Sequence, residues 1–139
     1  MVREKIKCHK FGTNYNKPHF YILNKGRNSG KPLHQECANC FVFLADDQEE
    51  EQHFFNLSYA LWQGRKFHIL LTGSVIEFIR IDDLRKLLQE ASARITQKQQ
   101  EYQTILKNIN DLNQHQENLY KQIKLITELK QAVIYKLFK

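Results

Sequence analysis

The chain has 139 residues, 42% of them hydrophobic and 26% charged, with three cysteines and a formal net charge of +6. That length admits one domain with a modest core. Three cysteines, the lack of an apolar leader pattern and the lack of any apolar run near twenty residues argue against secretion and against a membrane span, so a cytoplasmic protein is expected.

The charge is segregated along the chain. Residues 1–36 hold eight Lys or Arg against two acids, residues 37–83 three against eight, and residues 84–139 ten against five. Basic flanks around an acidic middle suit a nucleic-acid or other polyanion partner, although basic helical faces are often merely solvated.

From the N-terminus, Arg3, Lys5, Lys7 and Lys10 alternate roughly with Val2, Ile6 and Cys8, the pattern of an exposed edge strand or a loosely held arm. Phe20, Tyr21, Ile22 and Leu23 predict a strand. A turn-rich loop over residues 24–32 follows, bearing Gly26, Gly30, the cations Lys25, Arg27 and Lys31, and the small polar residues Asn28 and Ser29. Glycines let backbone N–H groups approach an anion, and cations add sequence-independent attraction to phosphate. The loop is not a P-loop: three residues, not four, separate the glycines, and Pro32 stands where a Ser or Thr would hold magnesium. A phosphate-contacting loop and an ordinary surface loop both remain open.

Cys37 and Cys40 form a CxxC pair with His34 nearby and Cys8-His9 far upstream, but no second CxxC or HxxxH completes a zinc set. Cys40 opens the apolar run Phe41-Val42-Phe43-Leu44-Ala45, so a buried thiol on a core strand is the better reading, and no metal or cofactor is expected. Asp46, Asp47, Glu49, Glu50 and Glu51 predict a helix start, with Asp46 as cap. Phe54, Phe55, Leu57, Ser58, Leu61 and Trp62 supply its apolar face, and Gly64 its C′ stop. Residues 67–71 and 75–81 read as two strands around a tight turn at Thr72-Gly73-Ser74. No constellation of His, Ser, Cys or carboxylates has a spacing that points to catalysis, so no enzyme is expected.

The last part of the chain carries a heptad repeat. One register reads Leu84, Ala91, Lys98, Ile105, Leu112, Leu119, Ile126, Val133; the other reads Leu88, Ile95, Tyr102, Ile109, Gln116, Ile123, Lys130, Leu137. A small mixed head at 1–83 and a coiled-coil-like arm at 84–139 are therefore expected, an α+β chain with a long C-terminal helix. Asn108, Asn110, Asp111 and Asn113 leave a helical hairpin as the alternative, and Thr96 with Gln99 makes a capping-box pattern that could begin a second segment. The partner-facing positions are Leu88, Ile95, Tyr102, Ile105, Ile109, Leu112, Leu119, Ile123, Ile126, Val133 and Leu137, and a homo-oligomer or another helical protein is the implied partner.

The ending from Gln122 to Phe138, with Gly73-Ser74 and Ile79-Arg80-Ile81-Asp82-Asp83-Leu84 upstream, resembles the end of a recognition domain and the spacer helix of type I restriction-modification specificity subunits. That resemblance implies a non-catalytic DNA-facing head on a helical spacer that docks on partner helices. With it, charge and loop placement make Lys25, Arg27, Lys31, Arg65 and Lys66 the phosphate contacts, while Asn28 and Ser29 reach a base edge or another backbone oxygen. The family's Pro-rich joint is missing between Leu84 and Gln99, and the head is about half the size of a full recognition domain. The whole chain also looks like an uncharacterised bacterial family marked by the Lys17-Pro18-His19-Phe20, 24–33 and 73–83 segments, a resemblance that implies no activity. The alternative from a different class is a protein-interaction adaptor whose basic residues only solvate it.

Overall fold

The computed structural model describes all residues, 1–139. The chain divides into two compact units, Met1–Lys98 and Gln99–Lys139. The first is α+β. Its elements run α1 (Val2–Lys5), β1 (Ile6–Cys8), β2 (His19–Leu23), β3 (Pro32–Leu33), β4 (Cys40–Leu44), α2 (Gln48–Gln63), a 3-10 turn (His68–Leu70) and α3 (Ile81–Gln97). The second unit is α4 (Gln99–Leu137) with two further residues.

The four strands form an antiparallel sheet in the order β1-β4-β2-β3. Its two central strands are apolar on both faces because both faces are covered. Phe20 and Ile22 of β2 join Phe41 and Phe43 of β4, Phe54 and Leu57 of α2, and Leu84 and Leu88 of α3 in the main core. Phe20 stacks on Phe43 with ring centroids 5.1 Å apart, and Phe43 on Phe54 at 4.7 Å. On the alternate positions Tyr21, Cys40 and Val42 make a second cluster, covered by Tyr15, Leu33 and Cys37. The expected strands at 20–23 and 40–45 are therefore present, and the period of two decides which cluster each residue enters.

Helix α2 begins as its acids predict, with one shift of position. Asp47, not Asp46, is the cap, its carboxylate accepting from Glu50 N at 2.8 Å, while Glu50 accepts from the Asp46 N–H at 2.8 Å. The end differs too. Gly64 is the C-cap residue at φ −76°, and Arg65 takes the left-handed position at φ 55°. Arg65 N donates to Trp62 O at 3.0 Å and Lys66 N to Leu61 O at 2.9 Å, the Schellman pair of bonds that closes such an end. Trp62 is half-buried and packs against the main core, as expected.

Three expectations fail in physically readable ways. Residues 1–10 are not one edge strand: α1 precedes a three-residue β1, because Ile6 is the one residue of α1 and β1 that is fully buried and so sets where pairing starts. Residues 67–71 and 75–81 are not strands. The first holds the 3-10 turn, the second is irregular up to Arg80, and only the isolated bridges Thr72–Phe78 and Lys25–Phe78 remain of the pairing. That stretch is anchored at Phe67 and Ile79 while Ile69, Val75 and Ile76 point to solvent, so its apolar residues do not alternate across a sheet. Finally, the helix expected to start near Leu84 begins at Ile81 and stops at Lys98 (φ −127°, ψ 40°), so the unit boundary falls after 98 and not after 83. Thr96 does not cap α4, since its hydroxyl donates to Ser92 O at 3.0 Å. From Gln99 onward α4 passes through Asn108, Asn110, Asp111 and Asn113 without a turn, so no hairpin forms there.

Candidate functional site

The cationic loop after β2 is held by backbone bonds at both ends. Leu23 N donates to Lys31 O at 3.0 Å and Gly30 N to Leu23 O at 2.8 Å, closing residues 23–31 into a compact turn. Gly26 and Gly30 have φ of +88° and +96°, a conformation in which a side chain is strained. At Gly30 a Cβ would come within 2.2 Å of the Phe67 ring, so only glycine lets the loop lie on that ring.

This contact brings two distant segments together. Lys31 Nζ sits 4.9 Å from the centroid of the Trp62 ring, and Gly30 lies on Phe67, the residue after Lys66. Lys31 thus lies beside the segment that carries Arg65 and Lys66, whereas Lys25 bridges to Phe78 and Arg27 approaches Glu77. On its other side the loop meets residues 72–79: Gly26 N donates to Glu77 O at 2.6 Å and Ile79 N to Asn24 O at 3.1 Å. A cleft of about 380 Å³ lies there, lined by Gly26, Arg27, Gly73, Ser74, Val75, Ile76 and Glu77.

The cations are not equally available. Lys25, Arg27, Arg65 and Lys66 are exposed, Lys31 is half-buried on Trp62, and Arg27 Nε lies 3.9 Å from the Glu77 carboxylate. Asn28 is exposed. Ser29 is fully buried, its hydroxyl donating to Gly26 O at 2.7 Å, so it closes the turn and cannot reach a base edge. Arg65 holds its left-handed backbone at a cost of about 1–2 kcal/mol for a residue with a Cβ.

The expected arm positions are split between the units. Leu88 is fully buried in the core of the first unit and Ile95 packs against that core, so both belong to its fold and not to a partner. In α4, Tyr102 is buried and Ile109 half-buried, while Ile105, Leu112, Leu119, Ile123, Ile126, Val133 and Leu137 are exposed.

One group of residues had no signature in the sequence. His9, whose side chain is fully buried, bonds Glu36 Oε2 through Nε2 at 2.8 Å and the Tyr15 hydroxyl through Nδ1 at 3.0 Å. A carboxylate accepts only, so Nε2 carries a proton and donates it to Glu36. Gly12 N–H also donates to Glu36 at 2.9 Å, and these two bonds hold the Glu36 carboxyl below its ordinary value. Alongside, His19 bonds Lys17 O and the Tyr21 hydroxyl at 2.8 and 3.2 Å. Burial raises the Tyr15 and Tyr21 phenols, and burial first of all pushes the Cys40 thiol up to about 11, so neither phenolate nor thiolate is available at neutral pH. Cys40 donates to Cys37 O at 3.1 Å. The network ties residues 9–15 and 36–40 onto the sheet. A second unforeseen feature is a cleft of about 540 Å³ lined by Arg3, Arg85, Lys86, Asp82, Gln89 and Glu90. Arg85 there is committed to Ile6 O at 2.6 Å and Asp82 at 3.1 Å. No group of three or more His, Cys, Asp or Glu side chains is placed to hold a metal ion.

The fold and site define an α+β unit with a cationic, glycine-shaped loop, followed by a long helix with an exposed apolar face; no helix is long and apolar enough to cross a membrane. The chain belongs to DUF6943, a family of unknown function, whose model matches residues 6–136. No curated protein and no solved structure matches it.

Proposed function

We propose that the protein is a non-catalytic nucleic-acid-binding module acting in the cytoplasm, a partial counterpart of the restriction specificity subunits that its C-terminal segment resembles. The observation that carries the reading is that the Gly30–Phe67 and Lys31–Trp62 contacts bring the end of the cationic loop to the sequence-distant segment that carries Arg65 and Lys66. A loop fixed at both ends presents its cations with little entropy left to lose, which favours contact with regularly spaced phosphates. Arg65 adds to this: an exposed arginine is kept in a backbone position that glycine would occupy without strain. Lys25, Arg27, Lys31, Arg65 and Lys66 contact phosphate, and Asn28 is the one remaining candidate for a base edge.

The test is a titration on duplex DNA across a salt series. Affinity should fall with a log-log slope of about −0.9 per phosphate neutralised. Replacing Lys25, Arg27 and Lys31 with Gln should flatten the slope and weaken every duplex alike, whereas Asn28→Ala should act more on a preferred site. Arg65→Gly should weaken binding without loss of stability. Equal loss on heparin would reduce the surface to a generic polyanion site. A protein with no salt-sensitive association at low ionic strength would leave the second reading, a helix-mediated adaptor, which the exposed apolar residues of α4 favour independently.

A further inference from the structure

Helix α4 is about 58 Å long at ~1.5 Å per residue. Thirteen large apolar residues from Ile105 to Phe138 are exposed in its unit, and Leu112, Ile123, Val133 and Leu137 are each at least 60% exposed. A lone helix of this kind gains little stability from propensity alone and needs its apolar face covered. What covers it is indicated by charge. Residues 99–118 carry one lysine, Lys107, against Glu101, Asp111 and Glu117, a net −2; residues 119–139 carry Lys121, Lys124, Lys130, Lys136 and Lys139 against Glu128, a net +4. A parallel pair of α4 helices would set +4 against +4. An antiparallel pair sets each basic half along an acidic half.

We propose that α4 is the interface of an antiparallel homodimer, in which residues 119–139 of each copy lie along residues 99–118 of the other. The heptad allows this register without a slip. Pairing each position of one register with the other in reverse order places Ile109 opposite Ile126 of the second copy, Leu112 opposite Ile123 and Gln116 opposite Leu119. The same register puts Lys130 opposite Ile105, and its aliphatic stem can cover that residue while its ammonium stays in water. The inference rests on α4 being an association surface and is independent of nucleic-acid binding.

The experiment is sedimentation equilibrium of the full chain at low salt, with no nucleic acid, on four proteins. These are the unaltered chain, a tip reversal (Lys121→Glu, Lys124→Glu and Lys136→Glu, which takes residues 119–139 from +4 to −2), a base reversal (Asp111→Lys with Glu117→Lys, which takes residues 99–118 from −2 to +2), and the two combined. Antiparallel pairing predicts a dimer that either reversal weakens by roughly tenfold, several exposed pairs turning from attraction to repulsion, and that the combination restores. In a parallel dimer each half faces its own kind, so the tip reversal would relieve the +4 against +4 repulsion and strengthen association instead of weakening it; that outcome overturns the proposal. A monomer at tens of micromolar overturns it as well. If such a monomer bound vesicles of anionic lipid, the basic apolar tip would be a membrane-surface helix instead. Ile123→Asp with Ile126→Asp must abolish the dimer, which guards against association through the first unit.

Discussion

Helices α3 and α4 continue one heptad pattern and differ in what covers it. In α3, Leu84 and Leu88 are fully buried against Phe43, Phe54 and Leu57, and Ala91 and Ile95 pack on the same core. In α4 the equivalent positions Leu112, Leu119, Ile123 and Ile126 are 45–67% exposed. A heptad specifies a stripe and its phase; it does not specify whether the stripe closes on the chain's own sheet or on another molecule. The interruption at Lys98 separates the two uses, and Lys98 is itself one of the polar positions in the repeat.

The sharpest way to test that difference is to truncate one residue in each region. Phe43→Ala removes a fully buried ring from between Phe20 and Phe54 and should lower stability by about 3–5 kcal/mol. Ile126→Ala should change the same unfolding transition by less than about 0.5 kcal/mol while weakening association. The single tryptophan, Trp62, lies in the first unit, so urea unfolding followed by its fluorescence reads that unit alone. An equal loss from both substitutions would mean that the two regions fold as one.

A smaller effect separates glycines of the same backbone type. Gly30→Ala should cost about 2–4 kcal/mol, because left-handed strain is joined by a collision with Phe67. Gly12 has a similar φ, +85°, but open space around it, so Gly12→Ala should cost only about 1 kcal/mol. If Gly30→Ala cost no more than Gly12→Ala, the loop would not be seated on Phe67, and the approach of Lys31 to the Arg65-Lys66 segment would lose its basis.

Much of this architecture was legible in the sequence, for local reasons. Strands β2 and β4 and helix α2 carry their own patterns and caps, and the long helix carries its period. The cations of residues 25–31 were legible as charge in a glycine-bearing turn, but Ser29 was not, because a hydroxyl that turns inward onto Gly26 O looks the same in sequence as one that faces solvent. Residues 67–81 were misread because strand-like composition was present without alternating burial. The His9 network was invisible: His9, Tyr15 and Glu36 come from segments apart from β2, which carries His19 and Tyr21, and only folding brings them together.

That network supplies the smallest effect, and one that α4 should not share. In the native protein Glu36 accepts from the Gly12 N–H and from His9, so its carboxyl titrates below its ordinary value of 4.5. A depressed native value means that the unfolded chain binds the proton more readily in acid. The stabilisation is therefore complete above about pH 4.5 and drains as pH falls through the lower native value. Glu36→Gln keeps the shape and removes this contribution, so the stability difference between the two proteins should be widest near neutrality and close in acid. Asp46, also held low by Lys5 and Lys17, is present in both proteins and cancels in the difference. Urea unfolding at intervals from pH 7 to 3 measures it. A gap that stayed constant down to pH 3 would show that Gln acts through packing and that the His9–Glu36 bond does not carry the charge the geometry gives it.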